Sequence, residues 1–427
     1  MDGRPIPLVW HAGPELTSTA RRSQSPSAWS VGPLGHWSPK TIFTVVTAFV
    51  VATTTFAFYF VNDSVAVDFS TTVVWAFNYR NVSAPALDKP LAAINLPRAK
   101  TTTSGNDTGG YCPPLKNISN LNKSNVLHLE ETSMDTTESL VFGDMKDKIL
   151  HLVEGGNRHL RAPSLQTTST SSYDGLLDSL IPLGATVGNY SYLPGGHWRP
   201  RHCTPRWKVA IIIPYRHREY HLPILLRHLV PMLKRQLLQF AIYVVNQEND
   251  LPFNRATLMN VGFLESLNFS KWDCFVLHDV DHVPLSDLNN YGCTNMPKRM
   301  LSGSDRWNNK IPYRTFFGAV TGMTRENIRT INGFPNVYWG WGGEDDEIWR
   351  RVRAHHIRII KTKGPTHFYK VIAHHHDSAP KNKDRKKLLR TFKSRFNHDG
   401  LNNIKYARLR IELHALYTNI SVDIQKL

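Results

Sequence analysis

The run "VAIIIPY", Val209–Tyr215, is continuously apolar, the pattern of a strand buried on both faces. "RHREYHLPILLRHLVPMLKRQ" follows with helical spacing, interrupted by Pro223 and Pro231. "FAIYVVNQ" reads as a second buried strand, "FNRATLMNVGFLESL" returns to a helical period, and "CFVLHDVDHVPL" is a third strand ending in acids. Strand–helix–strand–helix–strand order predicts a mostly parallel α/β sheet. Ligands of such sheets sit beyond the carboxyl ends of the strands. Chemistry is therefore expected just after Tyr215, Gln247 and His278.

The preceding sequence is of a different kind. "TIFTVVTAFVVATTTFAFYFV", Thr41–Val61, carries no charge and is long enough to span a bilayer as a helix. Arg21, Arg22 and Lys40 lie before it, and no Lys or Arg follows until Arg80. The positive-inside rule then leaves residues 1–40 cytoplasmic and sends the rest to the lumen. Residues 62–180 are rich in Ser, Thr, Asn and Gly, a composition that favours an unordered stem, with 181–427 as the catalytic domain. Sequons at Asn81, Asn106, Asn117, Asn122 and Asn189, and further on at Asn268 and Asn419, predict glycosylation there.

Four cysteines in an oxidising lumen suggest two disulfides with three connectivities. The compact stretch between Cys274 and Cys293 favours that pairing, with Cys112–Cys203 as the other. The chain has 51 Lys and Arg against 34 Asp and Glu, a net +17, which points to an anionic partner. Nucleic acid does not fit a chain with a membrane segment and lumenal sequons.

Three groups of residues carry chemistry. Arg216 and Arg218 follow the first strand, where they suit a phosphate or carboxylate; Arg255 opens the next helix and Phe253 is placed to stack on a base. Asp279 and Asp281 end the third strand and together suit a divalent cation that grips a diphosphate. Their neighbours His278 and His282 make zinc an alternative, but read as incidental. In "VIAHHHD", Val371–Asp377, His374 and His376 would share one face of a strand and reach one ion, and imidazole with carboxylate suits manganese. Finally, "YWGWGGEDDEIW", Tyr338–Trp349, sets Trp341 among glycines before Glu344, Asp345, Asp346 and Glu347. The acids suit a helix N-terminus; the tryptophan on a glycine hinge suits a lid over a ligand, with paired carboxylates for general-base work.

These pieces resemble the β1,4-galactosyltransferase family over about the last 230 residues, in the family's order: "GHWRPRHC", "VAIIIPYRHREYHL", "IYVVNQ", "FNRATLMNVGF", "CFVLHDVDHVPL", "PYRTFFGAVTGMTRENIRTINGFPNVYWGWGGEDDE" and "VIAHHH". The resemblance implies a GT-A-type, Rossmann-like mixed sheet flanked by helices, a type II Golgi membrane anchor, and inverting transfer from UDP-galactose with Mn²⁺. It implies that Pro214, Tyr215, Arg216, Arg218, Phe253 and Arg255 line the nucleotide site, with Asp279 touching the nucleotide sugar. Asp281 and His374 would hold the metal, and Glu344 and Trp341 would meet the donor. Asp345 would be the general base, Asp346 would hold the acceptor, and Tyr313, Phe316 and Gly343 would complete the sugar site. Both disulfides match the family's pairs.

Three departures qualify the resemblance. A methionine ligand of the family is Val371 here, and His376 is the residue that could replace it, giving a His-x-His pair like that of the xylose-directed branch. The donor-selecting tyrosine is Phe316, which leans toward galactose while leaving UDP-GalNAc as the alternative donor. Ala319 stands for a family glycine. "WGWGGEDDE" resembles the branches acting on terminal N-acetylglucosamine or glucose. A non-catalytic carbohydrate-binding protein on the same fold is the remaining alternative, disfavoured because Asp345 and Asp281 are both present.

Overall fold

The computed structural model describes residues 110–161, 175–373 and 380–426. Its strands are β1 (Ala185–Val187), β2 (Tyr190–Leu193), β3 (His197–Pro200), β4 (Lys208–Tyr215), β5 (Gln239–Gln247), β6 (Cys274–His278), β7 (His282–Pro284), β8 (Lys298–Arg299), β9 (Gly303–Ser304), β10 (Val320–Thr324), β11 (Ile360–Lys361), β12 (Phe368–Val371), β13 (Tyr406–Leu413) and β14 (Thr418–Ile424). The helices are α1 (Met134–Phe142), α2 (Lys146–Leu160), α3 (Gly175–Ser179), α4 (His221–Arg235), α5 (Arg255–Ser266), α6 (Arg325–Thr330), α7 (Glu344–Ala354), α8 (Arg385–Arg390) and α9 (Phe392–Arg395).

The three apolar runs form the centre of a mixed sheet. β4 pairs in parallel with β5 on one side and β6 on the other, and β14 adds a further parallel strand to β5. Elsewhere the sheet is mixed: β10 runs antiparallel to β6 and β3 antiparallel to β5, while β11 pairs in parallel with β8 at the far edge. Val209 to Ile213 of β4 are fully buried, as a strand covered on both faces requires. Pro223 and Pro231 do not break α4, which runs unbroken from His221 to Arg235. Pro223 falls in the first turn, where its missing N–H has no intrahelical acceptor to lose.

A second sheet of three strands, β7–β12–β9, stands over the end of β6. β12 lies antiparallel to β7 with Val371 opposite His282, and the Ile372 N–H donates to the Asp281 carbonyl at 2.8 Å. The chain entering the histidine run therefore leaves from beside Asp281.

The expected stem needs correction between Gly110 and Arg161. Ser133 caps α1 by accepting from the Thr136 N–H, and Phe142, Ile149 and Val153 join the core. Phe142 stacks on Trp198 with ring centroids 5.5 Å apart. Local Ser and Thr content masked a segment whose apolar residues do find a surface to bury against. Cys112 pairs with Cys203 and Cys274 with Cys293, so the first disulfide ties this segment to the sheet. Asn117, Asn122 and Asn189 are exposed. The apolar stretch Thr41–Val61 and the sequons at Asn81 and Asn106 lie outside the described residues, among which no helix is long and apolar enough to cross a membrane.

Candidate active site

A cavity of about 520 Å³ opens beyond the carboxyl ends of β4, β5 and β6. It is lined by Pro214, Arg216, Arg218, Phe253, Arg255, Asp279 and Asp281 from the sheet side, and by Tyr313, Phe316, Trp341, Gly343, Glu344, Asp345 and Asp346 from the other. Residues separated by more than a hundred positions thus meet in one place. Tyr215 is the exception. On a strand it points away from Pro214 and Arg216, and it lines a separate hollow with Met134, Tyr220 and Tyr417. It is not brought to the cavity, contrary to the expectation for the nucleotide site.

The sheet side is held by short polar links. Buried Asn254 caps α5, accepting from the Thr257 N–H at 2.9 Å, and donates to the Asn336 carbonyl at 2.7 Å. This fixes Phe253 and Arg255 on either side of it. Arg216 donates to the Leu251 carbonyl at 2.6 Å, and its guanidinium lies 5.4 Å from the Phe253 ring centroid. Arg255 Nε donates to Asp279 Oδ1 at 2.6 Å, and its Nη1 stands 3.7 Å from Glu344 Oε1. One guanidinium therefore bridges the end of β6 to the start of α7.

The four acids of α7 divide by helical geometry. Glu347 turns into the protein, fully buried. It accepts from Arg351 at 2.8 Å, Arg395 at 2.7 Å and the Tyr338 hydroxyl at 2.8 Å. It anchors the helix, and only Glu344, Asp345 and Asp346 face the cavity. The N-cap is Gly343, at φ +106°, with no side chain to cap with. The acids still suit the positive end of the helix, and the Asp346 N–H donates to Asp345 Oδ1 at 2.8 Å.

Crowding of three carboxylates sets their protonation. Burial, then the charges of Glu344 and Asp346, push the Asp345 carboxyl up to about 8, against the pull of Arg255 and the Asp346 N–H. Burial also raises Glu344, with Arg255 opposing. Such a raised carboxyl is suited to exchange a proton near neutral pH.

Trp341 is tied to a distant part of the chain. Trp341 is half exposed; its N–H donates to the Pro380 carbonyl at 2.9 Å, and the Asn382 N–H donates to its carbonyl at 3.0 Å. Gly340 makes this possible, at φ +81° and so close to the Pro380 carbonyl that a Cβ would lie 2.2 Å from it. The lysine-rich loop Lys381–Lys387 is thereby joined to the tryptophan backbone, and its Arg385 reaches the cavity.

Phe316 sits between Trp307 and Tyr313, with ring centroids at 5.4 and 5.6 Å and near-perpendicular planes. Ala319 holds a left-handed backbone, φ +58°, and its carbonyl accepts from the Asp279 N–H at 3.0 Å. A glycine would take this conformation without strain.

Asp279, Asp281 and His282 bring their ligand atoms within 4.8 Å of one another. His282 Nδ1 lies 2.6 Å from Asp281 Oδ1, and its buried Nε2 has no hydrogen-bond partner among the described residues. Carboxylates with an orphaned imidazole nitrogen fit a borderline divalent ion. His278 serves the core instead: its Nε2 meets the Tyr291 hydroxyl at 2.9 Å, and burial lowers it to about 3. His374 and His376 lie outside the described residues. Sequence reasoning missed Arg306 and Trp307, in a short 3₁₀ turn, and Arg385, at the start of α8, which line the cavity and carry no local signal of their place in space.

Comparison with known proteins follows the same outline. Residues 183–294 match the N-terminal region of glycosyl transferase group 7, and residues 298–375 match the N-terminal domain of galactosyltransferase. β1,4-Galactosyltransferase 5 of Mus musculus is 52% identical over 230 residues, 54% of this chain and 59% of that protein. The chain thus spans about three-fifths of that relative's length. β1,4-Galactosyltransferase 4 of Cricetulus griseus is 40% identical over 278 residues, 65% of this chain and 80% of that protein. A crystal structure of a Drosophila β1,4-galactosyltransferase 7 mutant, in complex with manganese, UDP-Gal and xylobiose, is 29% identical. It covers 51% of this chain and 94% of its own, with a TM-score of 0.45. With four-fifths of the hamster protein matched at 40% identity and both group 7 models aligned in order, the chain belongs to the β1,4-galactosyltransferase family.

Proposed function

We propose that this chain transfers galactose from UDP-galactose to the 4-hydroxyl of a terminal β-N-acetylglucosamine or glucose, with inversion at the anomeric carbon. The observation that carries the reading is one cavity whose sheet side holds Arg216, Arg218, Phe253 and Arg255 while its opposite side holds Glu344, Asp345 and Asp346. The first group suits a uridine diphosphate, with guanidinium groups for phosphate and an aromatic ring for the base. The second suits sugar hydroxyls. The mixed sheet with ligand residues at its strand ends supports a GT-A-type fold.

In the proposed reaction Asp345 takes the proton of the acceptor 4-hydroxyl as that oxygen bonds to the anomeric carbon. The bond from that carbon to the UDP oxygen breaks on the opposite face, and UDP leaves with the electron pair. Asp346 positions the acceptor, with Tyr313 beside it on the cavity wall. Trp341 closes over the donor and excludes water. Asp281, with His282 or the histidines at 374 and 376, would hold Mn²⁺, which when bound supplies charge neutralisation at the diphosphate. Type II anchoring in the Golgi membrane, with the catalytic domain lumenal, is part of the same proposal and rests on the Thr41–Val61 stretch.

A second reading, UDP-GalNAc as donor, is favoured by the missing hydroxyl at Phe316. Parallel assays of the full chain with UDP-Gal and UDP-GalNAc separate the two, each run with Mn²⁺ and with chelator. Acceptors would be β-linked N-acetylglucosamine, glucose and xylose. Preference for UDP-GalNAc would replace the first reading by the second. Transfer to xylose or glucose but never to N-acetylglucosamine would remove the N-acetylglucosamine assignment.

A further inference from the structure

α8 is six residues long and none of them is buried. A helix so short does not hold itself together in water, and without a buried apolar face packing does not hold it either. What holds it is polar. The last carbonyls of a helix have no donor within it, and here two of them are taken by guanidinium groups. Arg350 Nη1 donates to the Leu389 carbonyl at 2.6 Å, and Arg395 Nη2 donates to the Leu388 carbonyl at 2.8 Å. Arg395 also donates to Glu347 and Asp399, both at 2.7 Å. The Arg350 guanidinium lies 5.7 Å from the ring centroid of Phe392 in α9.

Both grips lead to α7, which carries Arg350 itself and Glu347, the anchor of Arg395. The other end of α8 meets the start of the same helix. Arg385 packs over the two glycines that precede α7: a Cβ on Gly343 would lie 3.1 Å from Arg385 Cβ, and one on Gly342 would lie 3.4 Å from its Cδ. The chain from Arg385 to Leu389 is therefore held against the first two turns of α7. Arg385 lines the cavity beside Gly343 and Asp346, and Arg350 does not line it.

We propose that Arg350, outside the cavity, is a positioning residue for the acceptor: by holding the end of α8 it keeps Arg385 on the wall beside Gly343 and Asp346. This rests on the transferase reading of the cavity, in which Gly343 and Asp346 belong to the acceptor side and UDP to the sheet side. Arg350 acts through α8 and not by touching a sugar. A wall displaced by about 1 Å misorients a bound hydroxyl enough to weaken its productive binding.

The test compares wild type, Arg350→Met, Arg350→Lys, Arg385→Met and the double variant R350M/R385M as full-length chains in detergent. Arg350→Met keeps an apolar stem beside Phe392 and removes the donor. Arg350 is half-buried, so the urea midpoint should change little. The KM for a β-N-acetylglucosamine acceptor should rise about tenfold, with kcat and UDP affinity within about threefold of the wild type. Arg350→Lys keeps a donor and should recover part of the acceptor KM. The double variant should have an acceptor KM close to that of Arg385→Met alone, because the two residues act in series. Independently of turnover, trypsin should cut at the exposed Lys386 and Lys387 about tenfold faster in Arg350→Met than in wild type. An unchanged acceptor KM in Arg350→Met, full additivity of the two substitutions, or equal cleavage rates would overturn the proposal. A wild type that transfers to no sugar would instead fail the transferase reading, and the cleavage rates would still decide whether Arg350 holds α8.

Discussion

Arg255 donates to Asp279 at 2.6 Å while its other arm stands 3.7 Å from Glu344, so one side chain joins the end of β6 to the start of α7. Only a planar guanidinium reaches both carboxylates from one stem. Arg255→Met should leave two poorly solvated carboxylates facing each other and destabilise the fold by about 3 kcal/mol, read as a lower midpoint in urea. Arg255→Lys should keep most of the stability and lose about 10- to 100-fold in kcat/KM. Equal loss of stability in both variants would show that the guanidinium fork, and not the charge, holds the two carboxylates together.

Asp345 links activity to stability in opposite directions. Its carboxyl is raised from 3.8 to about 8, so between those values the folded protein holds a proton that the unfolded chain releases. Stability contributed by that proton is present at low pH and is lost as pH rises through the window. Asp345→Asn should remove the loss: the variant should be more stable than wild type by about 1 to 3 kcal/mol near pH 7.5, and the margin should shrink toward pH 5. Thermal melts at both pH values measure this. The wild type's kcat/KM should rise with pH as Asp345 ionises.

Phe316 and Ala319 line the end of the cavity proposed to hold the sugars. Phe316→Tyr should sharpen preference for UDP-Gal, while Phe316→Ile should raise the relative use of UDP-GalNAc about tenfold or more, measured by donor competition. Ala319→Gly should relieve left-handed strain and stabilise the fold by about 1 kcal/mol. Unchanged donor ratios in both Phe316 variants would place selection elsewhere.

Gly340 allows Trp341 to pair with the chain at Pro380. Gly340→Ala, with its Cβ 2.2 Å from the Pro380 carbonyl, should break that pairing. Donor KM should rise and donor hydrolysis should increase relative to transfer, with a change in global stability of about 1 to 2 kcal/mol. Tryptophan fluorescence on titration with UDP would report whether the lid still responds.

The parts legible in the sequence were those whose signal is local and unopposed. β4, β5 and β6 are buried on both faces, so their apolar runs could mean little else, and the site residues follow their ends directly. α1 and α2 were not legible as part of the fold, because the Ser and Thr of α1 and the paired glycines of α2, set in a Ser-, Thr- and Asn-rich stretch, imitate a linker. The clue was the four-residue spacing of Ile149 and Val153, which puts them on one face of α2. Within "EDDE" the four acids look equivalent. Only the periodicity of α7, with Glu347 four residues before Arg351 and beside Ile348 and Val352, separates the anchoring acid from the three that face the cavity. Tyr215 was misplaced for the converse reason: its neighbours Pro214 and Arg216 do line the cavity, and strand alternation turns the residue between them away.

The most direct test is transfer by the full chain from UDP-galactose to a β-N-acetylglucosamine acceptor, with wild type and Asp345→Asn assayed beside UDP binding. The account predicts a β1,4-linked product from the wild type, and a loss of about a thousandfold or more in the variant while UDP binding is retained. Transfer by the variant at the wild-type rate, or a wild type that binds UDP and transfers to no acceptor sugar, would contradict it.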